Sequence, residues 1–180
     1  MTAAHDTVVA VSLPTASSIS AIYATVDLAD AYAIALPEDA SADPEQLARF
    51  IFAQQSFWAR GLMGLRDWLV AGFGLKTARH LAALDAQHRA RRVGIFKIYA
   101  AGETEIVLGE DDKHLDFRLS VMCTGPASQG DRRLVLSTVV HCHNRLGRLY
   151  IFLIAPFHRA IVQASLRRAA RIGWPAATAA

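Results

Sequence analysis

Four short β-rich segments follow one another between residues 96 and 143, and the connections between them are too short for a parallel crossover. The segments are Phe96–Tyr99, Glu105–Glu110, Leu115–Cys123 and Leu134–His143. Residues that favour turns, chiefly Gly, Asp, Pro and Ser, separate them. Because short connections imply antiparallel neighbours, this part of the chain predicts one antiparallel sheet.

The N-terminal half of the sequence predicts one strand and then helices. Asp30–Leu36 alternates in polarity and ends before a proline, which favours a first strand. Pro44 follows two residues that favour a helix N-cap, so a helix is predicted to begin there. A second helical pattern surrounds Leu62–Leu69, and Ala78–Arg92 is polar enough to be an exposed connector.

The C-terminal part predicts a short strand and a final helix. Arg148 and Tyr150 share a face of the predicted short strand, and Pro156–Arg171 has helical periodicity that Gly173 ends. We therefore predict a single α+β domain over residues 23–172, with a curved sheet covered by segregated helices. Residues 1–22 are expected to be a flexible lead-in, and residues 173–180 a tail.

Composition excludes several classes of protein. Hydrophobic residues make up 53% of the chain and the net charge is +3, so the chain is neither disordered nor strongly basic. The basic runs 89–92 and 167–171 lack interleaved aromatic residues, which argues against nucleic-acid binding. The apolar runs Val8–Leu13 and Leu149–Phe157 are too short to span a bilayer. We expect a cytoplasmic protein without membrane insertion.

Ionisable side chains alternate along the segment that begins at His114. In an extended strand His114, Asp116 and Arg118 share one face, and apolar residues occupy the other. Arg118 would stabilise the ionised form of Asp116, which in turn would favour a protonated His114. Such a group can act as an acid, a base or an anion clamp, although polar side chains on a strand often simply face water.

A second polar segment begins at His141. His141 and His143 are two residues apart and share a strand face. Together with His114 and Asp116 they could form a metal site, but spacing within two strands does not establish that the four side chains converge. The alternative is a set of histidines hydrogen-bonded to the backbone or to a carboxylate. We predict no metal and no cofactor.

The segment after His143 contains a turn signal and a further histidine. Asn144 and Gly147 are both suited to a turn, and Arg148 and Tyr150 follow it. His158 lies in the first turn of the predicted final helix, where the field of the helix disfavours a protonated imidazole. A neutral His158 could transfer a proton, or it could cap the helix. Motifs for dinucleotides, nucleotides, zinc proteases and serine hydrolases are absent from the sequence.

Three motifs together resemble the bacterial DUF2867 family. They are Gly109–Arg118, His143–Tyr150 and Pro156–His158, and the match also covers residues 30–32 and 65–67. The resemblance implies a fold similar to the helix-grip, or Bet v 1/START-like, superfamily, in which a curved antiparallel sheet grips a long C-terminal helix. It implies no reaction. The family's recurrent positions correspond here to His114, Asp116, Arg118, Asn144, Arg148, Tyr150 and His158.

Three functions remain open at this point. The first is binding of a small hydrophobic or amphipathic molecule between sheet and helix, with His114, Asn144, Arg148 and His141 contacting the ligand. The second is an aromatase/cyclase-like or isomerase-like enzyme in which Asp116 or His158 moves a proton and Arg118 with Tyr150 holds an oxyanion. The third is a structural domain, which could form a homodimer. The first two require the polar face of the His114 strand to lie beneath the final helix.

Overall fold

The computed structural model describes residues 7–53, 92–125 and 132–177. The strands in these residues are β1 (Val9–Val11), β2 (Leu28–Ala35), β3 (Arg92–Val93), β4 (Phe96–Ala101), β5 (Glu105–Asp111), β6 (Leu115–Thr124) and β7 (Arg133–Cys142). The helices are α1 (Pro44–Ala53) and α2 (Arg145–Ile172). The predicted helical pattern around Leu62–Leu69 and the connector before Arg92 lie outside the described residues.

The seven strands form one curved antiparallel sheet in the order β1-β2-β7-β6-β5-β4-β3. Strands β3 to β7 follow their sequence order, whereas β2 lies beside β7, the last strand of the chain. The four predicted β-rich segments are therefore confirmed as strands, and so is the α+β layout with a long C-terminal helix. This layout is consistent with a helix grip.

One side of the sheet, the helix side, packs against both helices. Alternate strand residues, whose side chains all point to this side, supply its core: Tyr32, Ile34, Ile106, Leu108, Leu119, Val121, Leu134 and Leu136. Leu47 and Ile51 of α1, with Val162, Leu166 and Ala169 of α2, cover them. Full burial of each large apolar side chain contributes about 1.5–3 kcal/mol, so this interface is a main source of stability.

The opposite side, the outer side, is covered by the N-terminal segment. Strand β1 pairs with β2, and Ile19 is only 1% exposed where it packs against Val107 and Val139. Leu13 packs against a second small cluster around Val135. The segment predicted as a lead-in therefore covers a sheet face, because residues 12–23 supply the apolar and aromatic side chains that bury it.

Helix α1 begins where the sequence predicts. The Asp43 carboxylate accepts a hydrogen bond from the Glu45 backbone N–H at 2.9 Å, and Pro44 takes the first helical position.

The residues that follow α2 are held against the rest of the domain. The backbone N–H of Ala177 donates to the Asp39 carbonyl at 3.0 Å, and Trp174 packs against the helix-side core.

Helix α2 begins eleven residues earlier than the sequence predicts, at Arg145 rather than Pro156. Asn144 is its N-cap, and the Asn144 side chain accepts from the Gly147 backbone N–H at 3.0 Å. The prediction of a short strand containing Arg148 and Tyr150 is therefore wrong. An interior proline usually costs a helix about 3 kcal/mol, but buried Ile151 and Val162 hold the helix against the sheet on both sides of Pro156.

Both cysteines are free thiols. Cys142 is buried and Cys123 is half-buried. Burial raises the pKa of each thiol to about 11, so neither is a reactive thiolate at neutral pH. Both side chains therefore act as packing residues.

Candidate functional site

A polar pair interrupts the apolar helix side of the sheet where β2 meets β7. Asp30 and Thr138 are direct cross-strand partners in this antiparallel pair. Each lies two residues from a helix-side core residue, Tyr32 on β2 and Leu136 on β7, so both side chains point toward α2. A carboxylate and a hydroxyl thus lie together in a surface that is otherwise built to exclude water.

Helix α2 brings a histidine onto this pair. His158 lies on the same helix stripe as the buried residues Ile151, Val162 and Leu166. Its Nε2 atom is 3.3 Å from Oδ1 of Asp30, and the two side chains are 22% and 10% exposed. Arg159 Nε lies 3.6 Å from Oδ2 of Asp30, beyond hydrogen-bond distance. His158 and Asp30 thus form a partly buried acid–base pair at the edge of the core.

Two atoms of this site are buried without a hydrogen-bond partner among the described residues. They are Oδ2 of Asp30 and Oγ1 of Thr138. Leaving a buried polar group unsatisfied costs about 1–3 kcal/mol, and more where the group is charged. Most buried polar atoms in folded proteins are satisfied by protein or by ordered water, so these two neighbouring oxygens can each take a hydrogen bond from water or from another small molecule.

Replacing Thr138 by valine is expected to stabilise the ligand-free protein by about 1 kcal/mol. Valine has nearly the same shape, and it removes a buried hydroxyl that has no partner within the described part of the chain. Urea denaturation of the two proteins would measure the difference. Ser137→Ala is the matched control on the outer side, where another buried hydroxyl has no such partner. A loss of 1 kcal/mol or more in Thr138→Val would contradict this account.

An aromatic surface adjoins the polar pair on the helix side. Phe117 packs against two core clusters, one centred on α2 near Leu166 and one near Ile151, yet it remains half-buried. The ring of Phe117 meets Phe96 edge to face, with centroids 5.8 Å apart. An apolar surface beside a few convergent polar groups is the usual composition of a small-molecule site.

Asp116 and Arg118 do not lie at this site. Their strand alternates as predicted, but Leu119 and Val121 pack under the helices, so Asp116 and Arg118 point to the outer side. The expectation that the polar face lies beneath the final helix is therefore corrected. The physical reason is that the helices bury the apolar phase of the strand, which leaves the polar phase for the opposite face.

Arg118 is held flat on the outer side by several partners. Its Nη2 atom is 2.7 Å from Oδ1 of Asp111, and its guanidinium lies 3.7 Å from the centre of the Tyr99 ring. Tyr99 donates its hydroxyl to Asp111 at 2.6 Å. Burial alone would raise the pKa of Asp111, but the Tyr99 and Arg118 hydrogen bonds outweigh it and lower that pKa. The cluster is not fully satisfied, because Nε of Arg118 and the hydroxyl of the neighbouring Tyr23 are buried without a hydrogen-bond partner among the described residues.

His141, on the outer side, contacts the N-terminal segment, whereas His143 pairs with strand β6. His141 stacks on Tyr23 with ring centroids 5.6 Å apart, and its Nδ1 is 3.0 Å from the Thr25 hydroxyl. His143 Nε2 is 2.9 Å from Oδ2 of Asp116. Within residues 7–53, 92–125 and 132–177, no group of three or more His, Cys, Asp and Glu side chains is placed to hold a metal ion.

Glu105 anchors the same segment and gives a pH-dependent prediction. It accepts hydrogen bonds from Ser17, Ser18 and Ser120, and although burial alone would raise its pKa, these bonds lower it. A carboxyl whose pKa is lower in the folded state stabilises the fold above the unfolded pKa, and this contribution is lost as the pH falls through the folded value.

Between about pH 5 and pH 3, the free energy of unfolding is therefore expected to fall less steeply in Glu105→Gln than in the wild type. Urea titrations at each pH would give the two slopes. Glu103→Gln, at a fully solvated position in the same hairpin, serves as the control and should keep the wild-type slope. Equal slopes in all three proteins would remove the anchoring role of Glu105.

The remaining predicted residues lie where β7 passes into α2. Asn144 Nδ2 is 2.9 Å from His114 Nδ1, while the same side chain caps the helix. Arg148 Nε is 3.1 Å from Oδ1 of Asp27, whose other oxygen accepts the Cys142 backbone N–H at 2.7 Å. Tyr150 packs against the nearby apolar cluster. These contacts fix the start of α2 on the sheet.

Of the eight predicted site residues, the structure places only His158 at the helix-side site. It lies deep inside α2, so the predicted effect of a helix N-terminus on its protonation does not apply. Asp30 and Thr138 were missed as site residues. The available signal was the strand face on which they lie. Asp30 shares a face with Tyr32 and Ile34, and a charged side chain on that apolar face must be buried.

Comparison with known families agrees with the motifs. The family model described as "Protein of unknown function (DUF2867)" matches residues 22–165. The chain belongs to the DUF2867 family. The matched region runs from the outer-side segment to α2, and it contains Asp30, Thr138 and His158 together with the junction residues. No curated protein and no solved structure matches the chain.

The described part of this DUF2867 domain has a cavity that is separate from the polar pair at Asp30 and Thr138. It has a volume of about 590 Å³ and is an open hollow at the start of α1, lined by Ser41, Asp43, Glu45, Arg49 and neighbouring residues. It contains none of Asp30, Thr138 and His158. The chemistry of the domain is better placed at the buried polar pair, because the hollow offers ordinary surface side chains that already pair, such as Arg49 with Glu45 at 2.7 Å.

Proposed function

We propose that the domain binds a small amphipathic molecule between the sheet and α2, with its polar end at Asp30, Thr138 and His158. The observation that carries this proposal is the pair of buried oxygen atoms without hydrogen-bond partners. A ligand hydroxyl or amine that donates to Asp30 and pairs with Thr138 would satisfy both atoms at once.

The surroundings favour a ligand with an apolar body. Phe117 and Phe96 offer half-buried rings on the same side of the sheet, and Leu119 lies directly across from Thr138. The guanidinium of Arg159, 3.6 Å from Oδ2, partly neutralises Asp30, which makes a neutral donor as suitable as a cation. The ligand class is therefore a small apolar molecule that carries a hydroxyl or an amine.

Replacement of Asp30 by asparagine tests the proposal. Native mass spectrometry of the full chain, purified without detergent, would report a bound small molecule, and titration of the identified molecule would give the affinity. A hydrogen bond to a charged group contributes about 1.5–3 kcal/mol, so Asp30→Asn should weaken binding by about tenfold or more. Asp116→Asn, on the outer side, is the matched control and should bind as the wild type does.

Weaker binding in Asp116→Asn, with wild-type binding in Asp30→Asn, would place the ligand on the outer side of the sheet. Equal affinity in all three proteins would remove Asp30 from the site. Thermal unfolding of each protein is measured without ligand, because a ligand that binds only the folded state would itself raise the unfolding temperature. A variant that unfolds at the wild-type temperature in the absence of ligand has lost a contact and not its fold.

An acid–base enzyme on the same site is the second candidate, and the contact of Asp30 with His158 favours it. A carboxylate beside one ring nitrogen orients the imidazole, which leaves Nδ1 as the atom that could take a proton from a substrate. Asp116 and Arg118 do not share this role, because they lie on the outer side of the sheet, opposite His158. His158→Gln would keep binding and abolish turnover in an enzyme. Identification of the bound molecule in unchanged form in both proteins would favour a binding protein.

A further inference from the structure

Helix α2 exposes four large apolar side chains along its N-terminal half. Leu149, Phe152, Leu153 and Phe157, here called the α2 outer patch, are 55%, 77%, 54% and 49% exposed. Their spacing places them on one side of the helix, opposite the stripe that contains Val162 and Leu166. Four neighbouring large apolar residues at such exposure are more typical of an interaction surface than of ordinary solvent-facing helix.

The charged residues of α2 itself all have one sign. Helix α2 contains six arginines and no acidic residue over residues 145–172. Arg145 precedes the patch and is exposed, and the side chains of Arg148 and Arg159 remain 63% and 51% exposed although they approach Asp27 and Asp30. A partner of this surface must therefore accept apolar side chains at its centre and arginine at its edges.

We propose that the α2 outer patch docks on an anionic lipid surface, with the helix lying in the plane of the interface. Phe152 and its neighbours would enter the boundary of the acyl chains, and the arginines would contact lipid phosphates. A second copy of this chain fits less well, because symmetric pairing of α2 would bring arginines together. A nucleic acid fits less well too, because the phenylalanines would face phosphate.

The helix lies on the membrane in this proposal and does not cross it. By length and composition α2 could span a bilayer, and only 11% of its most apolar window is buried. However, Leu166 and Ala169 are fully buried against the helix-side core, so crossing would require α2 to leave the sheet. Binding in the plane keeps that interface and uses only the exposed side. The proposal is independent of the ligand site around Asp30.

Co-sedimentation of the full chain with vesicles tests the proposal. Vesicles of phosphatidylcholine with 30% phosphatidylglycerol should bind the protein, vesicles of phosphatidylcholine alone should bind it about tenfold more weakly, and 0.5 M salt should weaken the first binding. The double substitution Phe152→Ser with Phe157→Ser should lower the affinity for anionic vesicles at least about tenfold. Ile22→Ser with Val26→Ser, at exposed apolar positions outside α2, should leave it unchanged.

Three results would overturn the proposal. They are no binding to anionic vesicles, equal binding by both double variants and the wild type, and a wild-type dimer in gel filtration that the α2 variant alone dissociates. The last result would assign the patch to a second copy. Thermal unfolding checks that the variants fold, and the single substitution Phe152→Ser, at the most exposed position, is measured in place of a double variant that does not.

Discussion

Leu166→Ala is expected to lower the free energy of unfolding by about 3 kcal/mol, which corresponds to a fall of roughly 6–12 °C in the unfolding temperature. Leu166 is 0% exposed and lies in the core cluster where α2 meets the sheet, beside Val162 and Ala169. Truncation removes apolar contacts from both the helix and the strands beneath it. Because a well-packed interface collapses only partly, a cavity remains and adds to the cost. Urea denaturation followed by circular dichroism would measure the change.

Leu153→Ala is the matched control in the same helix. Leu153 is 54% exposed, so its truncation should change the free energy of unfolding by no more than about 0.5 kcal/mol. The comparison holds residue type and helix constant and varies only the face. A similar small loss in both variants would mean that α2 is not packed on the sheet. The helix would then not cover the site around Asp30, which depends on that packing.

Strand β6 shows what alternation can and cannot establish. The sequence predicts correctly that Leu119 and Val121 share one face and that Asp116 and Arg118 share the other. Which face meets the helices is a separate matter, decided by burial, because covering the apolar phase stabilises the fold and covering the ionised phase costs desolvation. The expectation that the polar face of β6 lies beneath the final helix is therefore wrong, because that face lies on the outer side of the sheet.

The helix-side site could not be found from local pattern because its parts are far apart in the sequence. Asp30 and Thr138 meet through a strand pair between the N-terminal and C-terminal halves of the sheet, and His158 reaches them from α2. No short motif joins the three. The usable signal was a carboxylate in the phase of Tyr32 and Ile34, which predicts a buried charge and therefore a partner.

The start of α2 was misplaced for a different reason. Pro156 was taken as a helix start, which is its commonest helical role. Asn144 was interpreted as a turn residue, although N-caps and turns favour the same side chain. Tertiary burial decides between them here, since Ile151 packs on the sheet before the proline and Val162 after it. The family motif His143–Tyr150 is thus a helix start and not a turn between strands.

Gly147 is the residue of this helix start that tolerates least change. A β-carbon added there would lie 2.3 Å from the His114 carbonyl oxygen and 3.3 Å from the β-carbon of Cys142. The carbonyl cannot move away freely, because it accepts a hydrogen bond from the His143 backbone N–H at 2.9 Å. Asn144 is bound to both sides of the contact, through His114 and through Gly147 itself. Close approach of the α2 backbone to the turn before β6 therefore requires glycine.

Gly147→Ala is expected to lower the free energy of unfolding by about 3 kcal/mol, even though alanine in place of glycine ordinarily stabilises a helix by about 1 kcal/mol. The clash with backbone must push α2 from the sheet, so binding of the proposed ligand at Asp30 should weaken in the same variant. Gly102→Ala is the matched control, because its nearest atom, the Glu105 carbonyl oxygen, would be 3.5 Å from the new carbon, an ordinary contact. Urea denaturation of both variants decides the matter: a Gly147→Ala protein as stable as the wild type would show that the junction of β7 and α2 is looser than this packing requires.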